Sequence, residues 1–79
     1  MITNIYDFVE AIATDLAKAG EKRWSANLEA ALSISTVPSE ILGATAQTLR
    51  NFKASGVADQ YQVAERVEVA LQYFANLYK

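Results

Sequence analysis

Cysteine and histidine are both absent from this chain of 79 residues. Without cysteine there can be no disulfide, no thiolate nucleophile and no cysteine-ligated metal. Without histidine the chain lacks the commonest general base and the commonest metal ligand in proteins. Any catalysis would have to rely on carboxylates, lysine, tyrosine or serine, so we expect a non-enzymatic protein that holds no cofactor and no metal.

Long apolar runs and strongly basic segments are also missing. No stretch approaches the ~20 apolar residues of a bilayer-spanning helix, and residues 1–7 have neither the basic nor the apolar region of a signal peptide. Seven lysines and arginines stand against nine acids, a net charge of −2, which gives little general attraction to nucleic acid. We therefore expect a cytoplasmic protein that binds neither membranes nor nucleic acid.

Proline and glycine are scarce, with one proline and three glycines, and the chain divides into four segments with apolar residues every three or four positions. This spacing is typical of amphipathic α-helices, and no segment has the alternating, β-branched pattern of a strand. Helices are predicted at about residues 5–19, 22–33, 38–54 and 60–78. The length allows one domain, so residues 1–79 are predicted to form a single all-α domain, a compact and irregular bundle of four helices.

The first helix is marked at both ends. Asn4 is a favourable N-cap, and Gly20 stands where a left-handed residue commonly ends a helix. In the second helix, Trp24 and Leu28 are predicted to face inward and Ser25 outward. Trp24 would then anchor the core at the corner between the two helices, although an exposed binding residue is the alternative.

The later helices also begin at recognisable signals. Ser35 or Thr36 is predicted to cap the third helix, with Pro38 in its first turn. Asp59 and Gln62 have the spacing of a capping box, and they are predicted to open the last helix.

The last helix has an unusually wide apolar face. At about 100° per residue, its apolar residues share an arc of roughly 160°. One neighbouring helix cannot cover an arc that wide, so we expect this helix to pack against two or more others. The residues of the arc are Val63, Ala64, Val67, Ala70, Leu71, Phe74, Ala75, Leu77 and Tyr78.

On the polar side of the same helix, Val69 and Tyr73 stand one turn apart. An aromatic residue, an aliphatic residue and an arginine together are typical of the energetic centre of a protein interface. The alternative is a lone surface tyrosine, or a helix that is buried more deeply. We predict that Gln62, Arg66, Val69 and Tyr73, here called the last-helix surface, bind a protein. The partner would be a second copy in a homodimer or another protein.

The third helix carries a flat strip of small residues, on which another helix could approach closely, although small residues are as often only filler. The strip consists of Gly43, Ala44, Ala46 and Gln47. The same helix could also act in a helix-turn-helix, because Gln47, Arg50 and Asn51 are types that read base edges. A weak DNA-binding regulator is the least favoured alternative.

Charge is uneven along the chain, because residues 1–40 carry six acids and three bases. An acidic surface could meet the basic active site of a toxin or nuclease, and electrostatic steering would make such an association salt-dependent. An immunity- or antitoxin-like neutraliser is therefore an alternative function. Its acidic residues would be Asp7, Glu10, Asp15 and Glu21.

One segment has a spacing that is found elsewhere. Its residues are Leu16, Gly20, Glu21, Trp24, Leu28 and Leu32. In this spacing the chain resembles small helical proteins of bacteria, some of which are encoded beside toxins and are suspected immunity proteins. The resemblance covers about a fifth of the chain. It suggests a bacterial origin and implies no site residues.

Overall fold

The computed structural model describes residues 4–77 and confirms the all-α class, with no strand in that range. Four long helices follow the predicted segments, and a fifth, short helix precedes the last of them. Residue 78, where the last predicted helix ends, lies outside the described residues. The helices are α1 (Ile5–Lys18), α2 (Lys22–Leu32), α3 (Pro38–Ser55), α4 (Val57–Gln60) and α5 (Ala64–Leu77).

The four long helices form a ring around one core. Helix α1 packs on α2, α2 on α3, α3 on α5, and α5 on α1, and within residues 4–77 the diagonal pairs do not pack together. The expectation that the last helix packs against two others is therefore confirmed. No helix in this range has both the length and the apolar composition that a membrane span requires.

The core takes large side chains from α1, α2, α3 and α5. Each such side chain contributes roughly 1.5–3 kcal/mol when it is fully buried. Trp24 is half-buried and contacts the core as predicted, but its ring packs on Phe52 of α3, with centroids 5.1 Å apart, and so at the α2–α3 contact. The largest fully buried side chains are Phe52, Phe74, Ile12, Leu16, Leu28, Leu49, Val9 and Val67.

Side chains cap the first two helices. The Asn4 Oδ1 accepts from the backbone N–H groups of Tyr6 and Asp7, at 3.0 and 3.2 Å, so the predicted N-cap is confirmed. At α2, a Glu21 carboxylate oxygen accepts from the N–H of Trp24 at 2.9 Å. Each cap satisfies backbone donors that a helix leaves without partners at its start.

Helix α1 ends in a Schellman motif. Gly20 has a φ of +94°, and its N–H donates to the carbonyl of Ala17 at 3.1 Å. The next N–H, of Glu21, donates to the carbonyl of Leu16 at 2.8 Å. These two bonds define the motif and require a left-handed residue between them, so the role predicted for Gly20 is confirmed.

The prediction for the start of α3 is wrong in its cap residue. The N-cap is Val37, which forms no side-chain cap, while the Ser35 Oγ accepts from the Val37 N–H at 3.0 Å. Pro38 is the first helical residue and holds the residue before it in an extended conformation, which is seen in the φ of −92° and ψ of 117° at Val37. The N-cap position therefore falls on Val37 and not on Thr36 or Ser35.

The prediction of one helix over residues 60–78, opened by Asp59 and Gln62, is also wrong at its start. Asp59 lies within α4, Gln62 has a φ of +58°, and α5 begins at Ala64. Ala58 and Val63 are only 3% and 2% exposed. In one straight helix they would point about 140° apart, near opposite edges of the apolar face. The break at Gln62 lets both enter the core.

Ser25 was predicted to face outward, and this is wrong as well. It is buried, and its Oγ donates to the carbonyl oxygen of Ala13 on α1 at 2.7 Å. A small hydroxyl with a partner can be buried at little net cost. The α1–α2 seam therefore includes a polar side chain among its contacts.

Candidate functional site

The structure brings three of the four residues of the last-helix surface together. Arg66, Val69 and Tyr73 are spaced by three and four residues along α5, so they share one side of it. Val69 is 45% exposed and Tyr73 is half-buried. Gln62 is exposed but lies in the turn before α5, outside the helix. The surface itself stays a prediction.

Arg66 is held by α1. Its Nη1 donates to the Asp15 Oδ2 at 2.8 Å, with side chains that are 37% and 50% exposed. An ion pair this exposed contributes roughly 0–1 kcal/mol to stability. Its clearer consequence is that the guanidinium contacts Asp15 at the α1–α5 seam.

Tyr73 belongs partly to the core and partly to the surface. It packs against the buried cluster, and its ring and the Phe74 ring pack edge to face, with centroids 5.9 Å apart and planes at 87°. Such an edge-to-face pair favours this orientation of the two rings. Tyr73 is therefore partly buried and partly exposed, between the two alternatives to an interface that the sequence left open.

A second candidate surface is a groove of about 670 Å³ between α3 and α5, here called the α3–α5 groove. Phe74 is almost fully buried and Leu71 is half-buried, and both lie along it. From the sequence, Gly43 and Ala46 were predicted to belong to a flat strip on the third helix, and no groove was predicted. The lining residues are Gly43, Ala46, Arg50, Lys53, Ala54, Leu71, Phe74 and Ala75.

Part of the wide apolar arc of the last helix stays exposed beside the α3–α5 groove. The middle of that arc is buried, but Ala75 is exposed and Leu77 is 48% exposed. Helices α1 and α3 therefore cover less of α5 than the sequence predicts. Tyr78, the last residue of the arc, lies outside the described residues.

A smaller concavity of about 360 Å³ lies between α2 and α3, with Trp24 and Ile34 among its lining residues. Ile34 is 63% exposed and Val37, nearby in sequence, is 46% exposed. The Arg23 guanidinium carbon lies 5.7 Å from the centroid of the Trp24 ring. This distance is within the range of a cation–π contact, worth about 0.5–1 kcal/mol at an exposed site.

The residues proposed for base reading bond to one another. The Gln47 Nε2 donates to the Asn51 Oδ1 at 3.1 Å, and the Arg50 Nη2 donates to the Gln47 Oε1 at 3.0 Å. All three lie on the exposed side of α3. To read bases they would have to exchange these bonds for bonds to DNA.

Of the four acidic residues proposed for a neutraliser, one forms an ion pair and one accepts a backbone hydrogen bond. Asp15 pairs with Arg66, and Glu21 accepts the Trp24 N–H at the start of α2. Asp7 lies in the first turn of α1, where a negative charge is favourable at the positive end of the helix dipole. Each of these residues therefore has a role in the fold.

The fourth, Glu10, faces Glu29 across the α1–α2 seam. A hydrogen bond between the two side chains, with smaller contributions from burial and from repulsion between the carboxylates, raises the pKa of Glu29 above its ordinary value. The hydrogen bond has this effect because two carboxyl groups need a shared proton to bond to each other.

Within residues 4–77, no three carboxylates stand close enough together to hold a metal ion. Comparisons of the chain with protein families, with curated proteins and with solved structures find no match. A function for this chain therefore has to be derived from its own residues and surfaces.

Proposed function

We propose that this protein is non-enzymatic and acts by contact with another protein, either a second copy of itself or a partner, through the last-helix surface. The observation that carries the proposal is the side of α5 on which exposed Val69 lies beside Arg66 and half-buried Tyr73. A small domain gains stability when such apolar area is covered.

Contacts within the protein restrict two of these side chains, and this supports a binding role. Arg66 donates to Asp15, and the Tyr73 ring packs on the Phe74 ring. Side chains whose freedom is already reduced before binding lose less conformational entropy on association. Tyrosine and arginine are also the residue types that contribute most at interface centres.

The size of a stable interface indicates that α1 takes part as well. A typical interface covers about 800 Å² on each partner, roughly a sixth of the accessible surface of 4912 Å². One side of a single helix of 14 residues cannot supply that area. Because Asp15 borders the last-helix surface from α1, the contact would extend onto that helix.

The non-enzymatic part of the proposal is supported by the composition, which contains no histidine and no cysteine. Glu29, the acid with a raised pKa, is an exposed residue that lines neither groove. We also propose a cytoplasmic location, in keeping with the absence of cysteine.

The test compares Val69→Glu with the wild type by light scattering and by capture of partners on the immobilised protein. Gln72→Glu is the matched control, because it adds the same charge at an exposed position of the same helix. We expect association to be lost in Val69→Glu and kept in the control, with unchanged circular dichroism in both. Equal association of all three proteins, or none in the wild type, would show that the proposal is wrong.

A further inference from the structure

We propose that the α3–α5 groove binds an amphipathic α-helix of a partner protein that carries acidic side chains beside its apolar face. The inference shares with the proposed function only that the partner is a protein. It concerns the other flank of α5, which faces α3, whereas Arg66 on the last-helix surface contacts α1.

The α3 side of the groove is long enough to contact a helix over three turns. Its lining residues on α3 run from Gly43 to Ala54, a length of about 16 Å at 1.5 Å per residue, which is three turns of an α-helix. Leu71 and Phe74 supply apolar surface from α5. A helix that lays apolar residues into such a groove at positions i, i+3 or i+4, and i+7 uses a common mode of recognition.

Gly43 supports a close approach by the partner. A Cβ placed on it meets no atom within 4 Å, and its φ is not positive. Neither packing nor backbone conformation requires glycine here, although glycine is a poorer helix former than alanine. What the missing side chain provides is access, because another backbone can come close to α3 at Gly43, which is exposed.

The positive charge that lines the groove favours a partner helix with acidic side chains. Among the residues that the structure describes, the groove's charged lining residues are Arg50 and Lys53. Lys53 forms an ion pair with Glu68 on α5, but within residues 4–77 Arg50 has no carboxylate partner, and its guanidinium donates only to Gln47. A guanidinium fork matches a carboxylate in bidentate geometry, so an acidic residue on the flank of the bound helix would complement Arg50.

The test uses two synthetic helical peptides labelled with fluorescein, with leucines spaced for one apolar face. One carries glutamates beside that face, and the other has lysine at each of those positions. Fluorescence anisotropy with the full chain should show that the acidic peptide binds about tenfold tighter or more, and that added salt weakens it.

Three variants locate the binding. Gly43→Leu fills the groove with a residue that favours a helix, and Arg50→Glu reverses the charge; each should weaken the acidic peptide about tenfold or more. Arg50→Glu should also bind the lysine peptide better than the wild type does. Lys22→Glu makes the same charge change on α2, outside the groove, and should stay within about twofold of the wild type.

No binding of the acidic peptide, equal binding of both peptides, or unchanged binding by Gly43→Leu would overturn the inference. Self-association that is abolished by Gly43→Leu, without peptide binding, would make a second copy the occupant and would overturn it too. Val69→Glu should keep peptide binding. If the peptide fails while an association sensitive to Val69→Glu persists, only this inference falls and the proposed function stands.

Discussion

The turn after α1 and the turn after α4 reverse the chain with the same pair of hydrogen bonds, but different residues occupy the left-handed position. Gly20 occupies it in the first turn and Gln62 in the second. A residue other than glycine loses roughly 1–2 kcal/mol in this conformation. The second turn must therefore recover that free energy from another contact.

In the second turn, burial of the residue after Gln62 supplies the free energy that the strained conformation costs. In the first turn Glu21 follows the glycine and caps α2, whereas in the second turn Val63 follows Gln62 and is 2% exposed. Burying a valine contributes roughly 1.5–3 kcal/mol, which is enough to offset the strain. The first turn thus depends on backbone freedom and the second on the hydrophobic core.

The largest expected effect tests the burial half of this comparison. Val63→Ala should lower the free energy of unfolding by about 2 kcal/mol, because it removes buried methyl groups and leaves a cavity beside the strained turn. Glu21→Ala at the matching position should lower it by about 1 kcal/mol through loss of the cap. Urea unfolding measures both, and an equal or smaller effect of Val63→Ala would contradict the comparison.

Gly20→Ala tests the claim that the first turn depends on the backbone freedom of glycine. It should lower the free energy of unfolding by about 1.5 kcal/mol through the positive φ alone, since an added Cβ meets no atom within 4 Å. Gly43→Ala is the control, because it makes the same substitution at a glycine without a positive φ and should raise stability by about 1 kcal/mol. If both substitutions shift the urea midpoint in the same direction, backbone strain is not the cause.

A smaller effect is expected from Gln62→Gly, which makes the two turns alike. Relief of the strained φ is offset in part by the greater freedom of glycine in the unfolded chain, so stability should rise by about 0.5 kcal/mol. Thermal unfolding should show a midpoint a few degrees higher. A lower midpoint would mean that the Gln62 side chain makes a stabilising contact.

The smallest effect concerns pH and the α1–α2 seam, which carries the Glu10–Glu29 pair. The pKa of Glu29 is raised in the folded protein, so the folded state takes up this proton at a higher pH than the unfolded chain does. The stabilisation is complete below the unfolded pKa and is lost as the pH rises through the folded pKa. Glu29→Gln should flatten this fall in unfolding experiments across acidic pH, and an unchanged slope would count against the pair.

The contrast between the turns also shows what could be predicted from the sequence. Glycine and asparagine carry local signals, so the cap at Asn4 and the end of α1 at Gly20 were predicted correctly. Gln62 carries no such signal. Its conformation follows from the burial of Ala58 and Val63 against other helices, and spacing within one segment does not contain that information.

The same limit applies to the candidate surfaces. The sequence grouped Arg66, Val69 and Tyr73 correctly on one side of a helix, because periodicity fixes which residues share a side. It could not pair Arg66 with Asp15, 51 residues away, nor place Gly43 opposite Leu71 in one groove. Those relations depend on how helices pack.

The most direct test of the proposed contact is an NMR titration of the ¹⁵N-labelled protein, either with unlabelled protein or with a partner that it captures. The proposal predicts that amide signals of Val69, Tyr73 and the neighbouring Asp15 shift together as the complex forms, and that Val69→Glu removes these shifts. Association that leaves the signals of Val69 and Tyr73 unchanged would contradict it.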